Sequence, residues 1–160
     1  VIPVAALCGT MNSIGKQKPT PEKRAFFEAA VQTLEPQVDQ MRLADVGAAL
    51  VGVGNAMGPQ SGKPFVVALR ERALVHLADL DADRLGVDAT LVLSGLAKLK
   101  HKDERVLAAC GDAIAETVKE LRLRDLATAV NSFAQLQFKH VEFCDAVRQR
   151  VLFFKQVGRS

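Results

Sequence analysis

Apolar residues recur along this chain with the spacing of one helix face. Four times, an apolar residue is followed by two others, four and seven positions later. Residues at these offsets lie on one side of an α-helix, so the pattern predicts four helices that each bury one face. The four sets are Leu7, Met11 and Ile14; Val46, Leu50 and Val53; Ala89, Leu93 and Leu96; and Leu126, Val130 and Phe133.

Small residues flank the last apolar residue of each set. The triplets begin at Ser13, Gly52, Gly95 and Ser132, with spacings of 39, 43 and 37 residues. Similarity also extends beyond the triplets, since SFAQLQFKHVEF from Ser132 matches GLAKLKHKDERV from Gly95 in its small, apolar and basic positions. We interpret this as an internal repeat in which small residues let neighbouring helices approach closely. An acid suited to the helix start precedes three copies, at Asp45, Asp88 and Asp125, and the first copy has Ala6 instead.

A second amphipathic stretch follows each of these four helices. The stretches are FFEAAVQTL, FVVALRERALVHL, VLAACGDAIAETV and FCDAVRQRVLFF. Pro21 and Pro64 precede two of them, where a missing N–H costs a helix little. The sequence therefore predicts four consecutive pairs of helices, each with a first and a second helix.

This alternation predicts an all-α fold, a right-handed α-solenoid of about four helix–turn–helix repeats. We expect one helical-repeat domain over residues 1–160, with repeats of approximately 1–41, 42–84, 85–121 and 122–156. The competing interpretation is a single irregular helical bundle in which the similarity arose by chance.

The repeat resembles a known family. The run from Leu123 through Leu136, followed by Phe143 to Val151, is similar to octotricopeptide-type repeats, which also occur beside RAP domains and in FAST-kinase-like organellar proteins. The resemblance covers residues 87–152 best. It implies an α-solenoid in mitochondria or plastids that acts on RNA, for example as a ribosome component. The proline-rich PPPEW-like signature of the best-defined repeats is missing, which argues against base-by-base reading of RNA.

Composition and charge favour a helical protein with one basic part. Apolar residues make up 49% of the chain, and there is no Trp or Tyr. The net charge is +3, but residues 98–160 hold twelve Lys and Arg against eight Asp and Glu. That part is the better candidate to face a polyanion. The three cysteines form no CxxC motif, which predicts buried thiols in a reducing compartment.

Basic residues cluster where two of the first helices should end. Lys98, Lys100, His101 and Lys102 occupy one copy, and Gln135, Gln137, Lys139 and His140 occupy the next. Matched positions in stacked repeats line up along an edge, where they could follow a phosphate backbone. The alternative is that cations near helix C-termini only complement the helix dipole. The predicted RNA contacts are Lys98, Lys100, Lys102, Arg122, Arg124, Lys139 and His140.

Patterns typical of catalysis are missing from the sequence. GPQSGKP, from Gly58 to Pro64, is not a P-loop, because Met57 stands where the first Gly is needed and Pro64 where Ser or Thr binds magnesium. We interpret it as a flexible loop. His140 and Cys144 have the spacing of two metal ligands on a helix, but a surface His and a buried Cys explain them as well. We expect no enzyme activity, no metal and no cofactor.

The resemblance, together with the basic edge, implies a non-catalytic, RNA-binding helical-repeat protein, such as a structural subunit of a mitochondrial ribosome or similar ribonucleoprotein. The expected location is mitochondrial, with the plastid as the alternative, because the chain opens on Val1 as a processed organellar protein or a piece of a longer chain would. We expect RNA and neighbouring subunits as partners, and no insertion into a membrane. The alternative function is a protein–protein scaffold or accessory subunit of an organellar membrane complex.

Overall fold

The computed structural model describes residues 2–59 and 62–158, and Val1, Gln60, Ser61, Arg159 and Ser160 lie outside the described residues. The described residues form eight α-helices and no strand, which confirms the all-α prediction. The helices are α1 (Val4–Gly15), α2 (Pro21–Leu34), α3 (Leu43–Met57), α4 (Pro64–Leu77), α5 (Leu85–Lys98), α6 (Glu104–Glu116), α7 (Leu123–Gln135) and α8 (Val141–Val157).

The eight helices pack in two rows. The odd-numbered helices lie side by side, with α3 between α1 and α5, and α5 between α3 and α7. In the second row α6 lies between α4 and α8. A 3₁₀ segment, Glu35–Gln40, follows α2 and packs against α4. A shorter one, Val118–Glu120, packs against α8. Neither 3₁₀ segment was predicted.

Local signals in the sequence explain where the helices begin. Pro21 and Pro64 are the first residues of α2 and α4, as predicted. Asp45, Asp88 and Asp125 all lie in the first turn of their helices, also as predicted. The loop from Gly58 to Pro64, predicted to be flexible, includes Gln60 and Ser61 and so lies partly outside the described residues.

The predicted apolar face forms the core between the rows, except that Ile14 is only partly buried and Val130 is exposed. Met11, Leu50 and Leu93 are fully buried, whereas Val130 at the matching position is 44% exposed. The prediction of a buried Val130 is therefore wrong. The reason is that, in the row of odd-numbered helices, α7 has a described neighbour, α5, on one side only, and the side of α7 that holds Val130 stays exposed.

The small residues lie where first helices touch. A Cβ on Gly52 would stand 2.7 Å from the carbonyl carbon of Met11, and one on Gly95 would stand 2.5 Å from the Leu50 Cβ. Any side chain at these two positions would push the helices apart. The prediction that small residues allow close approach of neighbouring first helices is confirmed for α1 with α3 and for α3 with α5.

Two of the three cysteines are buried as predicted. Burial raises the pKa of the Cys8 thiol to about 12 and also raises the pKa of Cys110, so both thiols stay protonated. Cys144 is exposed, so the prediction that it is buried is wrong. Its position on the outer side of α8 leaves it without a covering helix. No helix in the described part of the chain is long and apolar enough to span a bilayer.

Candidate nucleic-acid interface

The helices α5 and α7 end in the same way. Lys100 and Gln137 both adopt a left-handed backbone, with φ of 53° and 51°. In each case the following N–H turns back onto the last helical turn, from His101 to the Leu96 carbonyl and from Phe138 to the Phe133 carbonyl. This is the Schellman arrangement, in which the reversal of the chain satisfies carbonyls that the helix end leaves free.

A groove between α5 and α7 holds two of the predicted contacts. It has a volume of about 430 Å³ and is lined by Ser94, Ala97, Lys98, Arg124, Ala127, Thr128, Asn131, Ser132 and Gln135. No carboxylate lines it. Its polar groups are two cations and neutral side chains that both donate and accept hydrogen bonds. Such a lining suits an anionic ligand that also offers polar edges.

A second cavity continues from this groove at the ends of the two helices. It has a volume of about 470 Å³, and Lys100, Lys102 and Gln137 line it together with Ala97 and Gln135, which belong to the groove as well. The structure therefore brings Lys98, Lys100, Lys102 and Arg124 to one continuous surface. We call this surface, made of the groove and the second cavity, the α5–α7 groove.

Three of the predicted contacts, Lys102, Arg122 and Lys139, differ in how free their charges are. Lys102 donates to the Gln137 carbonyl at 3.1 Å and lies 5.9 Å from the centre of the Phe138 ring. Arg122 is paired with Asp125 at 2.9 Å, and this hydrogen bond lowers the pKa of the Asp125 carboxyl and raises that of Arg122. Lys139 is exposed but lines neither part of the groove.

Arg122 has a structural counterpart at the start of α3. There Arg42 contacts Asp45 through its guanidinium at 3.1 Å, and the Asp45 carboxylate accepts the Arg42 N–H at 3.0 Å. The two pairs hold the first turns of α3 and α7. The main role of Arg122 is therefore to pair with Asp125 at the start of α7.

His140 is not available on the surface. Its side chain is 7% exposed. Nδ1 accepts the N–H of Phe143, which caps α8, and Nε2 contacts Asp112 Oδ1 at 2.8 Å. The ring lies against Gly111, where a Cβ would overlap it. The predicted surface His140 is therefore wrong, and this residue does not belong with the exposed contacts.

The role of His140 is explained by Asp103, the residue at the matching position of the preceding helix pair. Asp103 caps α6 by accepting the N–H groups of Arg105 and Val106, as His140 caps α8. Asp103 is 6% exposed and also contacts Arg70 at 3.0 Å. Burial alone would raise its pKa, but the hydrogen bonds from Arg105 and the Val106 N–H outweigh this, and the pKa is lowered. Aligning His140 with the N-cap Asp103 would have identified its role from sequence.

Sequence reasoning placed Gln135 on the polar edge but missed other neutral polar side chains of the groove, such as Thr128 and Asn131. Thr128, Asn131 and Gln135 follow Arg124 at offsets of four, seven and eleven, which is one face of α7. That spacing was visible in the sequence. The contribution of Ser94 was not, because it depends on how α5 and α7 are set side by side.

The Arg150 side chain on α8 packs on aromatic rings and not in the α5–α7 groove. Its guanidinium lies 4.4 Å from the Phe154 ring centre and 5.0 Å from that of Phe153, and it donates to the Lys119 carbonyl. This packing ties α8 to the segment Val118–Glu120.

Within residues 2–59 and 62–158, no group of three His, Cys, Asp or Glu side chains is placed to hold a metal ion. Comparison with protein-family models, with curated proteins and with solved structures finds no match to this chain.

Proposed function

We propose that this chain is a non-catalytic RNA-binding protein that holds RNA in the α5–α7 groove. The proposal is supported above all by one observation, the lining of that groove by Lys98, Lys100, Lys102 and Arg124 without a carboxylate. Cations in such a groove neutralise phosphates and release counterions. The neutral side chains beside them can bond to sugar hydroxyls and base edges.

The mode of recognition that fits this groove is charge and shape. The chain has no Trp or Tyr, and Phe138 beside Lys102 is only partly buried, so aromatic stacking would rest on one ring. Several bases read one by one would need a series of such rings or repeated base-edge contacts. The proposed ligand is therefore structured RNA, such as ribosomal RNA, bound mainly through its backbone.

The proposal includes the repeat architecture and the setting. The two rows of helices are compatible with a right-handed α-solenoid of about four helix–turn–helix repeats, and the resemblance to octotricopeptide-type repeats supports an organellar role. We place the protein in a mitochondrial ribosome or a similar ribonucleoprotein, with the plastid as the alternative location. Neighbouring protein subunits are the other proposed partners.

RNA binding across a salt series tests the proposal. A structured RNA is titrated with the wild-type chain and with a variant carrying Lys98→Gln, Lys100→Gln and Arg124→Gln. Each lost phosphate contact should reduce the slope of log K against log salt by about 0.7 to 1. Since three cations are removed, we expect the triple variant to lose about 2 to 3 units of slope.

A matched variant separates the groove from net charge. Lys18, Lys63 and Lys155 are exposed and line no part of the α5–α7 groove, so Lys18→Gln, Lys63→Gln and Lys155→Gln remove the same charge elsewhere. This control should keep the wild-type slope. Equal losses in both variants would mean non-specific attraction, and no binding by the wild type at moderate salt would refute the proposal.

A second candidate function is a protein–protein scaffold. It is favoured by the exposed apolar side chains of α8, since Val151, Leu152 and Phe153 are each about half exposed, at 49%, 51% and 49%. Apolar groups clustered in this way mark interaction surfaces. A scaffold would bind acidic protein segments with a shallow salt dependence and would co-purify with organellar proteins after nuclease treatment.

A further inference from the structure

One face of α7 is apolar and exposed along its whole length. Four residues spaced by four, three and four positions form it, and all four are exposed: Leu123, Ala127, Val130 and Ala134. Isolated apolar residues on a surface are ordinary, but a full helical stripe of them is the pattern of a face that packs against another helix.

The same stripe is covered in the two preceding odd-numbered helices. In α3 the matching residues are Leu43, Gly47, Leu50 and Gly54, and in α5 they are Gly86, Thr90, Leu93 and Ala97; all eight are buried. Gly47 lies against Leu91 of α5, and Gly54 lies against Lys98. In α3, therefore, this stripe receives the next odd-numbered helix.

One contact recurs within this packing. The Met11 backbone of α1 lies over Gly52 of α3, and Leu50 of α3 lies over Gly95 of α5. Met11 and Leu50 stand two positions before the small residues of their own helices, Ser13 and Gly52. Each lies on the matching small residue of the next odd-numbered helix. Val130 of α7 has the position of Met11 and Leu50, but it is exposed and nothing lies over it in this way.

The other half of this contact is exposed on α1. Ser13 has the position of Gly52 and Gly95, and it is exposed. Gly9, one turn earlier, matches Leu91, which packs on α3, and a Cβ on Gly9 would meet nothing within 4 Å. Helix α7 therefore exposes a face equivalent to the one with which α3 contacts α5. Helix α1 exposes a face equivalent to the one with which α5 contacts α3.

We propose that a second copy of this chain docks its α1 on the exposed face of α7, with Val130 of one copy over Ser13 of the other. The occupant is a second copy because Ser13 of α1 has the position of Gly52 and Gly95, the small residues on which Met11 and Leu50 lie in the existing contacts. The docking would continue the row α1, α3, α5, α7 into α1 of the next molecule. The interface joins two different faces, so it allows chains of molecules and not only dimers.

Sedimentation velocity over a range of protein concentrations tests the proposal. We expect the wild-type chain to form dimers and longer species as the concentration rises. Val130→Glu and Ser13→Glu should each abolish this association, because either change places a charge in the buried contact. Val75→Glu is the matched control, since Val75 is a helical valine that is 63% exposed on α4, and it should associate as the wild type does.

Mixing the two variants gives the decisive result. A Ser13→Glu chain keeps its α7 face and a Val130→Glu chain keeps its α1 face, so an equimolar mixture should form dimers and nothing longer. Circular dichroism and thermal unfolding check that both variants are folded. A wild-type chain that stays monomeric at every concentration overturns the proposal. Continued association of Ser13→Glu alone also overturns it, since that would mean that two α7 faces pair with each other.

Discussion

Leu50 of α3 sits directly on Gly95 of α5, with its Cβ 2.5 Å from the point where a Cβ on Gly95 would stand. The backbone of α3 is also near, since the Leu50 carbonyl carbon and the Val51 nitrogen lie 3.0 Å from that point. The distance between α3 and α5 therefore depends on the absence of a single methyl group.

Gly95→Ala should destabilise the chain. Overpacking of a close helix contact costs about 1–3 kcal/mol, which exceeds the gain of about 1 kcal/mol that alanine brings to a helix interior. Gly9→Ala in α1 is the control, because its methyl group would meet no atom within 4 Å, and it should stabilise by about 0.5–1 kcal/mol. Urea unfolding in dilute solution measures both, and a Gly95→Ala chain as stable as wild type would contradict the contact.

A double-mutant cycle should show that Gly111 and His140 are coupled. Gly111→Ala places a methyl group in the His140 ring, so we expect a loss of about 1–3 kcal/mol. His140→Ala removes the cap of α8 and costs about 1–2 kcal/mol. The double variant has no His140 ring for the new methyl group to overlap. Its loss of stability should therefore be smaller than the sum of the losses of the two single variants. Strict additivity in urea unfolding would argue against this packing.

Two lysines of the α5–α7 groove should respond in opposite ways to glycine. Lys100 has a left-handed backbone, so Lys100→Gly should stabilise by about 0.5–1 kcal/mol. Lys98 is the last residue of α5, and Lys98→Gly should cost up to about 1 kcal/mol. Both variants lose one cation, so RNA affinity should fall in each. Urea unfolding beside an RNA titration separates the two effects, and a loss of stability in Lys100→Gly would be the contrary result.

Acid should weaken the fold through His101. Burial and then the charge of Arg70 lower the pKa of His101, against a smaller opposing effect of Asp103. The unfolded chain has the ordinary histidine pKa of about 6.5 and so binds more protons than the folded chain just below that pH. Stability therefore rises with pH through this range and is lost as the pH falls below about 6.5, the pKa of histidine in the unfolded chain. His101→Gln should flatten the dependence of the urea midpoint on pH, and an unchanged dependence would exclude His101.

Arg124 and Arg122 should have different roles although they are two residues apart. Arg124 lines the α5–α7 groove, so Arg124→Gln should reduce the salt slope of RNA binding by about 1 while leaving stability near that of wild type. Arg122 holds Asp125, so Arg122→Gln should lower stability only slightly, as the loss of an exposed ion pair does, with little change in slope. Equal effects of the two variants on RNA binding would contradict this division.

The helices and several of the contacts between them could be predicted from the amino-acid sequence alone. The apolar spacing of Met11, Leu50 and Leu93 predicted a buried face, and Gly52 and Gly95 predicted close approach between helices, because both follow from periodicity and side-chain size along one helix. Pro21 and Pro64 marked helix starts for the same local reason. The handedness and the number of the repeats stay predictions.

Which residues are exposed, and which of them lie close together, depends on the packing of the helices in three dimensions. Val130 follows the same pattern as Leu50 yet is exposed, because burial requires a second helix and no described helix lies over it. The sequence pattern predicted a surface cation at His140, but its ring is buried against Gly111 and contacts Asp112, both on another helix. Lys98 and Arg124 share a groove because α5 and α7 lie side by side. Exposure and proximity are properties of pairs of helices, which the pattern of one helix does not contain.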